Sequence, residues 1–422
     1  MFGTSGVRGV AGTEITPRLG LRIGALAGES SDVVTVGRDT RRTGEALADA
    51  VAAGALQAGA DVERLGVATT PTVARYARDT AVVVTASHNP PEYNGFKLFN
   101  ADGTGYTERQ RRHVEGEIDR PPVVDASEFG RAHEVEDAEQ RHVDDVVTSV
   151  GEMDVEVVVD AAGGAASNAT PHAIARTGCR VHTVNCRYDY GFSRRLPEPV
   201  DRHLDDLKRA VRAYDADVGI AHDGDGDRAA AVTADGTYLQ PDLLMAAFAR
   251  HLDVDHVVTT VDASMAIEEV AEVSRTAVGD VNVARTAKQE GAGFGGEASN
   301  TWIFPEATYC PDGVLAAAYI AEMASVGLES YVEDLRGYVT ERGNVDCRDG
   351  DAVVARAGAS LRERFDDVSE VDGVRVAVED GWFLVRPSGT EPKVRLTAES
   401  RDAERAGKLL EVACSAVEEA MG

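Results

Sequence analysis

Three times along the chain a short apolar run breaks into a small-residue loop and passes into a helix-forming stretch. This recurrence limits the fold more than any other feature. Val33 to Val36 leads into Gly37-Arg38-Asp39-Thr40, a helical stretch from Glu45 to Gln57, and then Ala58-Gly59-Ala60-Asp61-Val62. Glu156 to Asp160 leads into Ala161-Ala162-Gly163-Gly164, a helical stretch to Arg176, and then Thr177-Gly178-Cys179-Arg180-Val181. Val257 to Asp262 leads into a further helical segment ending near Arg275. Strands alternating with helices favour parallel pairing, because a helical crossover returns the chain to the same end of the sheet. Three related α/β units are therefore expected. The end of the chain differs: Val374 to Val378, Phe383 to Val385 and Val394 to Thr397 read as strands ahead of one helix from about Asp402 to Ala420. That order predicts a smaller α+β domain with an antiparallel sheet. Acidic segments near Asp119 to Glu139 and Arg342 to Asp351 read as irregular connections.

A chain of 422 residues, 43% hydrophobic and 27% charged, has material for several buried cores and is not a disordered sequence. Its longest apolar stretch, Gly313 to Leu328, is too short for a membrane span and contains Glu322. The start of the chain lacks a basic segment followed by an apolar one, so a cytoplasmic protein without membrane association is expected. The 72 acidic and 43 basic side chains leave a net charge of −29, and only five of the basic residues are lysines. Such a surface repels itself in dilute buffer but not at molar salt, where the screening length falls to about 3 Å. This composition reads as adaptation to concentrated salt. It also argues against nucleic-acid binding, since no basic stripe is present. The five cysteines are scattered, with no C-x-x-C pair, and read as small buried hydrophobes.

Four loops carry candidate chemistry. Thr85-Ala86-Ser87-His88-Asn89-Pro90 follows the buried-looking strand Ala81 to Val84. It would deliver Ser87, as a nucleophile or a phosphorylation site, to the mouth of a sheet with His88 and Lys97 nearby. Asp223-Gly224-Asp225-Gly226-Asp227-Arg228 follows the strand Val218 to Ala221. Carboxylates on alternate residues with glycines between them can converge on one hard cation, Mg²⁺ or Ca²⁺, and Arg228 suits an anionic substrate. The loop is not an EF-hand, because Arg228 and Ala234 stand where glycine and glutamate are needed. Gly291 to Gly296 satisfies G-x-G-x-x-G but follows the helix-like segment Val281 to Gln289, which argues against a dinucleotide site. Glu297 and Ser299 just beyond it look like hydroxyl-binding groups. Finally, Arg386-Pro387-Ser388-Gly389-Thr390-Glu391-Pro392-Lys393-Val394-Arg395 gathers three cations, two hydroxyls and a glycine, the makings of a phosphate-binding loop.

These four loops, in this order and preceded by Phe2-Gly3-Thr4-Ser5-Gly6-Val7-Arg8-Gly9, resemble the alpha-D-phosphohexomutase family along essentially the whole chain. The resemblance implies an α/β fold of three related domains with mixed sheets and a smaller C-terminal α+β domain around a central cleft. The divisions would be 1–146 with the phosphoserine loop, 147–240 with the metal loop, 241–338 with the sugar loop and 339–422 with the phosphate loop. Ser87 would be the phosphoserine, and Mg²⁺ would lie between its phosphate and Asp223, Asp225 and Asp227. Arg8, Lys97 and His88 would stand at the reacting centre, and Arg228 would hold the transferring group. Glu297 and Ser299 would grip sugar hydroxyls, while Arg386, Ser388, Gly389 and Thr390 would bind the phosphate not being transferred. The implied activity moves a phosphoryl group between the 6- and 1-positions of a hexose phosphate through a sugar bisphosphate. The opening residues and the Gly-Gly-Glu run look most like the archaeal phosphoglucosamine mutases. Phosphoglucomutase, phosphomannomutase and phosphopentomutase specificities are alternatives, as are a metal-dependent phosphatase and a non-catalytic sugar-phosphate sensor. Many family members read Gly-Glu-x-Ser-Gly-His at the sugar loop, whereas Ser299 is followed here by Asn300-Thr301. The histidine's acid/base role would pass to Lys97, His88 or a water.

Overall fold

The structure is a computed structural model and describes Gly3, residues 5–388 and residues 392–422. Among the described residues four sheets, one per domain, follow one another along the chain. The first has six strands in the order Val7–Val10, Tyr93–Asn100, Thr80–Val84, Val33–Arg38, Asp61–Val67 and Ala132–Glu134. The second places Ala229–Thr233, Val218–His222, Glu156–Asp160 and Arg180–Val184 side by side, and the third Glu272–Thr276, His256–Thr260, Phe294–Glu297 and Thr301–Ile303. In all three the crossover strands pair in parallel, while one edge is closed by antiparallel strands, giving the mixed sheets expected. The fourth sheet is antiparallel throughout and carries the helices Gly350–Arg364 and Ala403–Met421.

Three expectations are corrected. The acidic segment Asp119 to Glu139 is not irregular throughout, since Ala132–Glu134 pairs in parallel with Asp61–Val67. The segment after Val257 to Asp262 is not a helix to Arg275 but a 3₁₀ turn, Met265–Glu269, followed by the strand Glu272–Thr276. Local helix-forming residues yield here to a tertiary demand: the strand pairs Val257 with Val273, and Arg275 donates to the carbonyls of Thr260 and Ala263. Arg342 to Asp351 is not irregular, since Val339–Asp346 pairs along its length with Lys393–Ser400. As an exposed edge strand it has no buried face to mark it with alternating apolar residues.

The apolar stretch 313–328 forms the helix Gly313–Val326, which is apolar on all sides because it lies between the second and third sheets. Val314, Leu315, Ile320 and Met323 join Val218 and Ile220 of one sheet to Phe294 and Trp302 of the other in a single core. The Trp302 Nε1–H donates to the Ala229 carbonyl at 2.7 Å and Ala229 N–H to the Asn300 carbonyl at 3.1 Å, so the second and third domains are stitched as well as packed. The C-terminal domain has its own core and meets the third domain across a thin seam of Val261, Trp382 and Leu384. Glu399 lies buried in that seam, accepting from Ser264 Oγ and Met265 N–H on one side and from Trp382 Nε1 and Thr340 Oγ1 on the other. Among the described residues no helix is long and apolar enough to cross a membrane.

Candidate active site

Ser87 leaves the strand Thr80–Val84 with a φ of 51°, a left-handed backbone that a serine adopts only when its surroundings impose it. The imposing group is Arg41, which sequence reasoning missed. Its buried guanidinium spends all five N–H donors: Nε on Asp39 Oδ2 (2.9 Å), Nη1 on the carbonyls of Pro90 (2.6 Å) and Tyr93 (3.0 Å), and Nη2 on those of Ser87 (2.8 Å) and Asn89 (2.7 Å). Asp39 accepts in addition from Thr85 Oγ1 at 2.7 Å, and Thr85 Oγ1 accepts from Ser87 N–H at 2.8 Å. The Gly37-Arg38-Asp39-Thr40-Arg41 loop of the first repeat is thus a brace for the serine loop.

The brace points Ser87 out of the first domain and into the second. Ser87 Oγ donates to Asp223 Oδ2 at 2.6 Å, across 136 residues of sequence. Asp223, Asp225 and Asp227 are buried, and one oxygen of each lies within 4.8 Å of the others. Gly224 lets the loop come this close: a Cβ there would stand 2.7 Å from the Ser87 carbonyl oxygen and 3.0 Å from the Phe192 ring. Lys97 Nζ donates to Asp225 Oδ2 at 2.8 Å and to Asp227 Oδ2 at 2.5 Å. Burial alone would lower the Lys97 pKa, yet these two carboxylates hold it above the ordinary lysine value. Burial raises Asp223 well above the carboxylate range, helped by Asp225 and Asp227; Asp227 is also raised, by burial first and by Asp225 next. Asp225 is held low against its burial by Lys97 and by hydrogen bonds from its neighbours.

The cluster is therefore short of positive charge. Two of its oxygens, Asp225 Oδ1 and Asp227 Oδ1, are buried with no hydrogen-bond partner. Orphaned carboxylate oxygens beside a serine hydroxyl form an all-oxygen donor set, which fits a hard divalent cation.

In front of this cluster opens a cavity of about 390 Å³ whose wall comes from all four domains. Arg8 and His88 line it from the first domain, Asp227 and Arg228 from the second, Glu297 and Ser299 from the third. The His88 ring is 3.4 Å from Ser87 Oγ. Its pKa is pushed down to about 2 by Arg228, then by burial and by Arg8 and Lys97, so the imidazole is neutral until an anion arrives among these cations. Glu297 is pushed up to about 7, by burial first and by Asp280 next, against a 2.6 Å hydrogen bond from Gly279 N–H. Thr301 lines the cavity, its Oγ1 2.9 Å from Ser299 Oγ. Asn300 turns away instead, donating to Pro199 O and Tyr238 Oη of the second domain.

Arg342 and Thr397 reach the cavity from the C-terminal domain, while Arg386 and Ser388 are not on its wall. Arg386 Nη1 donates to Asp372 Oδ2 at 3.1 Å, and the same oxygen accepts Val278 N–H of the cavity wall. Gly389 and Thr390, expected in the phosphate loop, lie outside the described residues. Asp262 and Asp280, which no motif marked, also line the cavity.

Comparison with known proteins accounts for this arrangement. Family models of phosphoglucomutase/phosphomannomutase match in succession: alpha/beta/alpha domain I at residues 1–122, domain II at 138–236, domain III at 240–339 and the C-terminal domain at 343–415. The chain belongs to the phosphoglucomutase/phosphomannomutase family. A probable phosphoglucosamine mutase of Methanocella arvoryzae is 41% identical over 427 residues, covering 99% of this chain and 98% of that protein. One of Methanopyrus kandleri is 42% identical over 434 residues, covering 97% and 95%. Among solved structures, a phosphoglucomutase/phosphomannomutase family protein of Burkholderia thailandensis superposes with a TM-score of 0.89 at 26% identity, covering 100% of this chain and 98% of that one. The N-acetylphosphoglucosamine mutase of Aspergillus fumigatus, solved with GlcNAc-6P and magnesium, shares the fold at a TM-score of 0.60 and 15% identity, covering 99% and 95%. The four-domain architecture read from the loops is thus that of the family.

Proposed function

We propose that this chain is a phosphosugar mutase acting on a hexosamine phosphate, with Ser87 as the phosphoryl carrier. The observation that carries the reading is the 2.6 Å contact of Ser87 Oγ with Asp223, inside a three-aspartate cluster and at the edge of a cavity walled by four domains. Mg²⁺ would be held by Asp223, Asp225, Asp227 and the Ser87 oxygen; when bound it offsets charge on the moving phosphoryl group.

The chain's own residues do the rest. Phosphorylated Ser87 passes its group to a sugar hydroxyl: the Oγ–P bond breaks, a sugar O–P bond forms, and the hydroxyl's proton ends on the freed Ser87 Oγ, whose O–H hydrogen-bonds to Asp223. Arg8, Lys97 and Arg228 supply fixed positive charge around the group in flight. His88, neutral in the empty cleft, gains basicity as phosphate charge offsets those cations. Glu297 and Ser299 hold sugar hydroxyls, with Thr301 beside them. Arg386, Ser388, Gly389 and Thr390 would take the second phosphate, Arg386 exchanging Asp372 for it. The bisphosphate then turns over and returns its other phosphoryl group to Ser87.

Glucosamine is favoured over glucose or mannose by the names of the curated relatives. The cavity wall agrees chemically, since Asp262 and Asp280 place carboxylates on it that an ammonium group would complement. The acidic, lysine-poor composition further supports an enzyme working in concentrated salt. A melting series against potassium chloride checks that part: stability should rise well past the range in which simple screening saturates.

Phosphorus NMR tests the activity. The protein, Mg²⁺ and a trace of sugar bisphosphate are mixed with glucosamine, glucose or mannose 6-phosphate, or ribose 5-phosphate. A sugar 1-phosphate signal growing fastest with glucosamine 6-phosphate is expected. Inorganic phosphate as the main product would make the chain a phosphatase, and binding without turnover would make it a sensor.

A further inference from the structure

Thr70 belongs to none of the motifs, yet it lies directly behind the acidic cluster. It is fully buried at the start of the short helix Thr70–Arg75 of the first domain. Its backbone N–H donates to the Asp225 carbonyl at 2.8 Å, and its Oγ1 donates to Asp225 Oδ2 at 2.6 Å. Lys97 Nζ uses the same oxygen, which leaves Asp225 Oδ1 buried and without a partner. A carboxylate tied twice through one oxygen cannot turn, so its other oxygen keeps a single direction. We propose that Thr70 is a positioning residue that fixes Asp225 with Oδ1 presented to the divalent cation. This rests on the metal-site reading given above.

Lys97 alone cannot do this work. Its ammonium is shared with Asp227 and sits on a flexible stem, whereas Thr70 offers two donors from one residue. Nor is Thr70 itself free to move. The preceding Thr69 accepts Thr72 N–H, the Thr69 and Thr72 hydroxyls are 2.7 Å apart, and Thr72 Oγ1 is 2.8 Å from His142 Nδ1. His142 Nε2 is 3.0 Å from Asp312 Oδ2, which also receives Arg75 Nη2 at 2.8 Å. Asp312 in turn caps the buried helix Gly313–Val326 through Leu315 N–H. Thr69, Thr72, His142 and Asp312 are all buried, so hydrogen bonds reaching back to the third domain hold the turn from which Thr70 contacts Asp225. Outer-shell partners of this kind typically govern metal affinity by about 10- to 100-fold.

Mg²⁺ titration calorimetry on the full-length protein tests the proposal with Thr70→Val, Thr70→Ala, Thr70→Ser and Asp225→Asn. Thr70→Val and Thr70→Ala should each weaken Mg²⁺ binding by about tenfold or more. Thr70→Ser, which keeps the hydroxyl, should restore binding close to that of the parent. The Mg²⁺ concentration for half-maximal turnover should move in parallel while KM for the sugar phosphate holds. Parent-like affinity in either hydroxyl-less variant overturns the proposal, as does an equal loss in Thr70→Ser. If Thr70→Val does not fold, Thr70→Ala carries the comparison. Asp225→Asn separates the two levels: parent-like Mg²⁺ binding there would sink the metal-site reading itself, whereas loss of binding there with no effect at Thr70 would sink only the role of Thr70.

Discussion

Replacing Arg41 by methionine should release the reactive loop without unfolding the chain. The substitution preserves most of the buried volume but removes five charge-assisted hydrogen bonds. It strands four backbone carbonyls together with Asp39, whose pKa burial already raises against the pull of Arg41. Breaking a buried ion pair by removing one partner costs about 3–5 kcal/mol. The carbonyls cannot stay dry and unpaired, so the cost should be relieved locally, by opening of residues 85–93 to water. At about 1.4 kcal/mol per factor of ten, the loop should open about a hundred- to several-thousandfold more often than in the parent. Amide hydrogen exchange followed by mass spectrometry reads this directly, and suits a multidomain chain for which a single unfolding free energy is ill defined. Exchange should accelerate in the serine loop and remain unchanged in the C-terminal helix Ala403–Met421. Adding Asp39→Asn to Arg41→Met should recover part of the loss, because the stranded charge is gone. Turnover should fall more than sugar-phosphate affinity, since Ser87 is displaced and the sugar loop is not. Loop exchange within threefold of the parent, or equal acceleration in every domain, would refute the bracing role.

Three further outcomes follow from the same geometry. Ser87→Ala should leave the fold intact and abolish both turnover and uptake of phosphate from a sugar bisphosphate, the latter read by intact mass; a phosphorylated variant would point to another carrier. Gly224→Ala places a Cβ 2.7 Å from the Ser87 carbonyl oxygen, so kcat should fall with little change in overall melting temperature, and a parent-like kcat would show that the metal loop can shift freely. Glu297 has a folded pKa near 7 against an ordinary 4.5, so its ionisation opposes folding: the cost is absent below pH 4.5 and complete above pH 7. Glu297→Gln should therefore gain stability over the parent as pH rises through that window, on the order of 1–3 kcal/mol, and a difference independent of pH would argue that Glu297 is solvated.

What the sequence disclosed was chemistry concentrated in short stretches. Ser87, the aspartates and Glu297 could be read because small residues and regular spacing at strand ends advertise a loop built for ligands. Arg41 and Thr70 could not, for a physical reason. Arg41 acts on backbone carbonyls, which have no sequence signature, and Thr70 acts on a carboxylate 155 residues away. The third helix was misread because residues with ordinary helix propensity were needed as an edge strand, and the Val339–Asp346 strand was overlooked because exposure erased its pattern. Lys97 was legible as a local cation, but its bridge to Asp225 and Asp227 required the two domains to be docked.

The thin seam between the third and C-terminal domains sets how the molecule spends its time. Parting it exposes three apolar side chains and removes from Glu399 only the donors of Ser264 and Met265, while those of Trp382 and Thr340 travel with it. The Val278 N–H bond to Asp372 and the exposed Arg401–Glu269 pair complete a small set of contacts, with no shared core among the described residues like the one that joins the second and third domains. The other domain junctions carry a shared core and buried polar contacts, so they should open less readily. Heat, denaturant or an incoming phosphate should act first at the same place, making the C-terminal domain the moving part of an otherwise rigid frame.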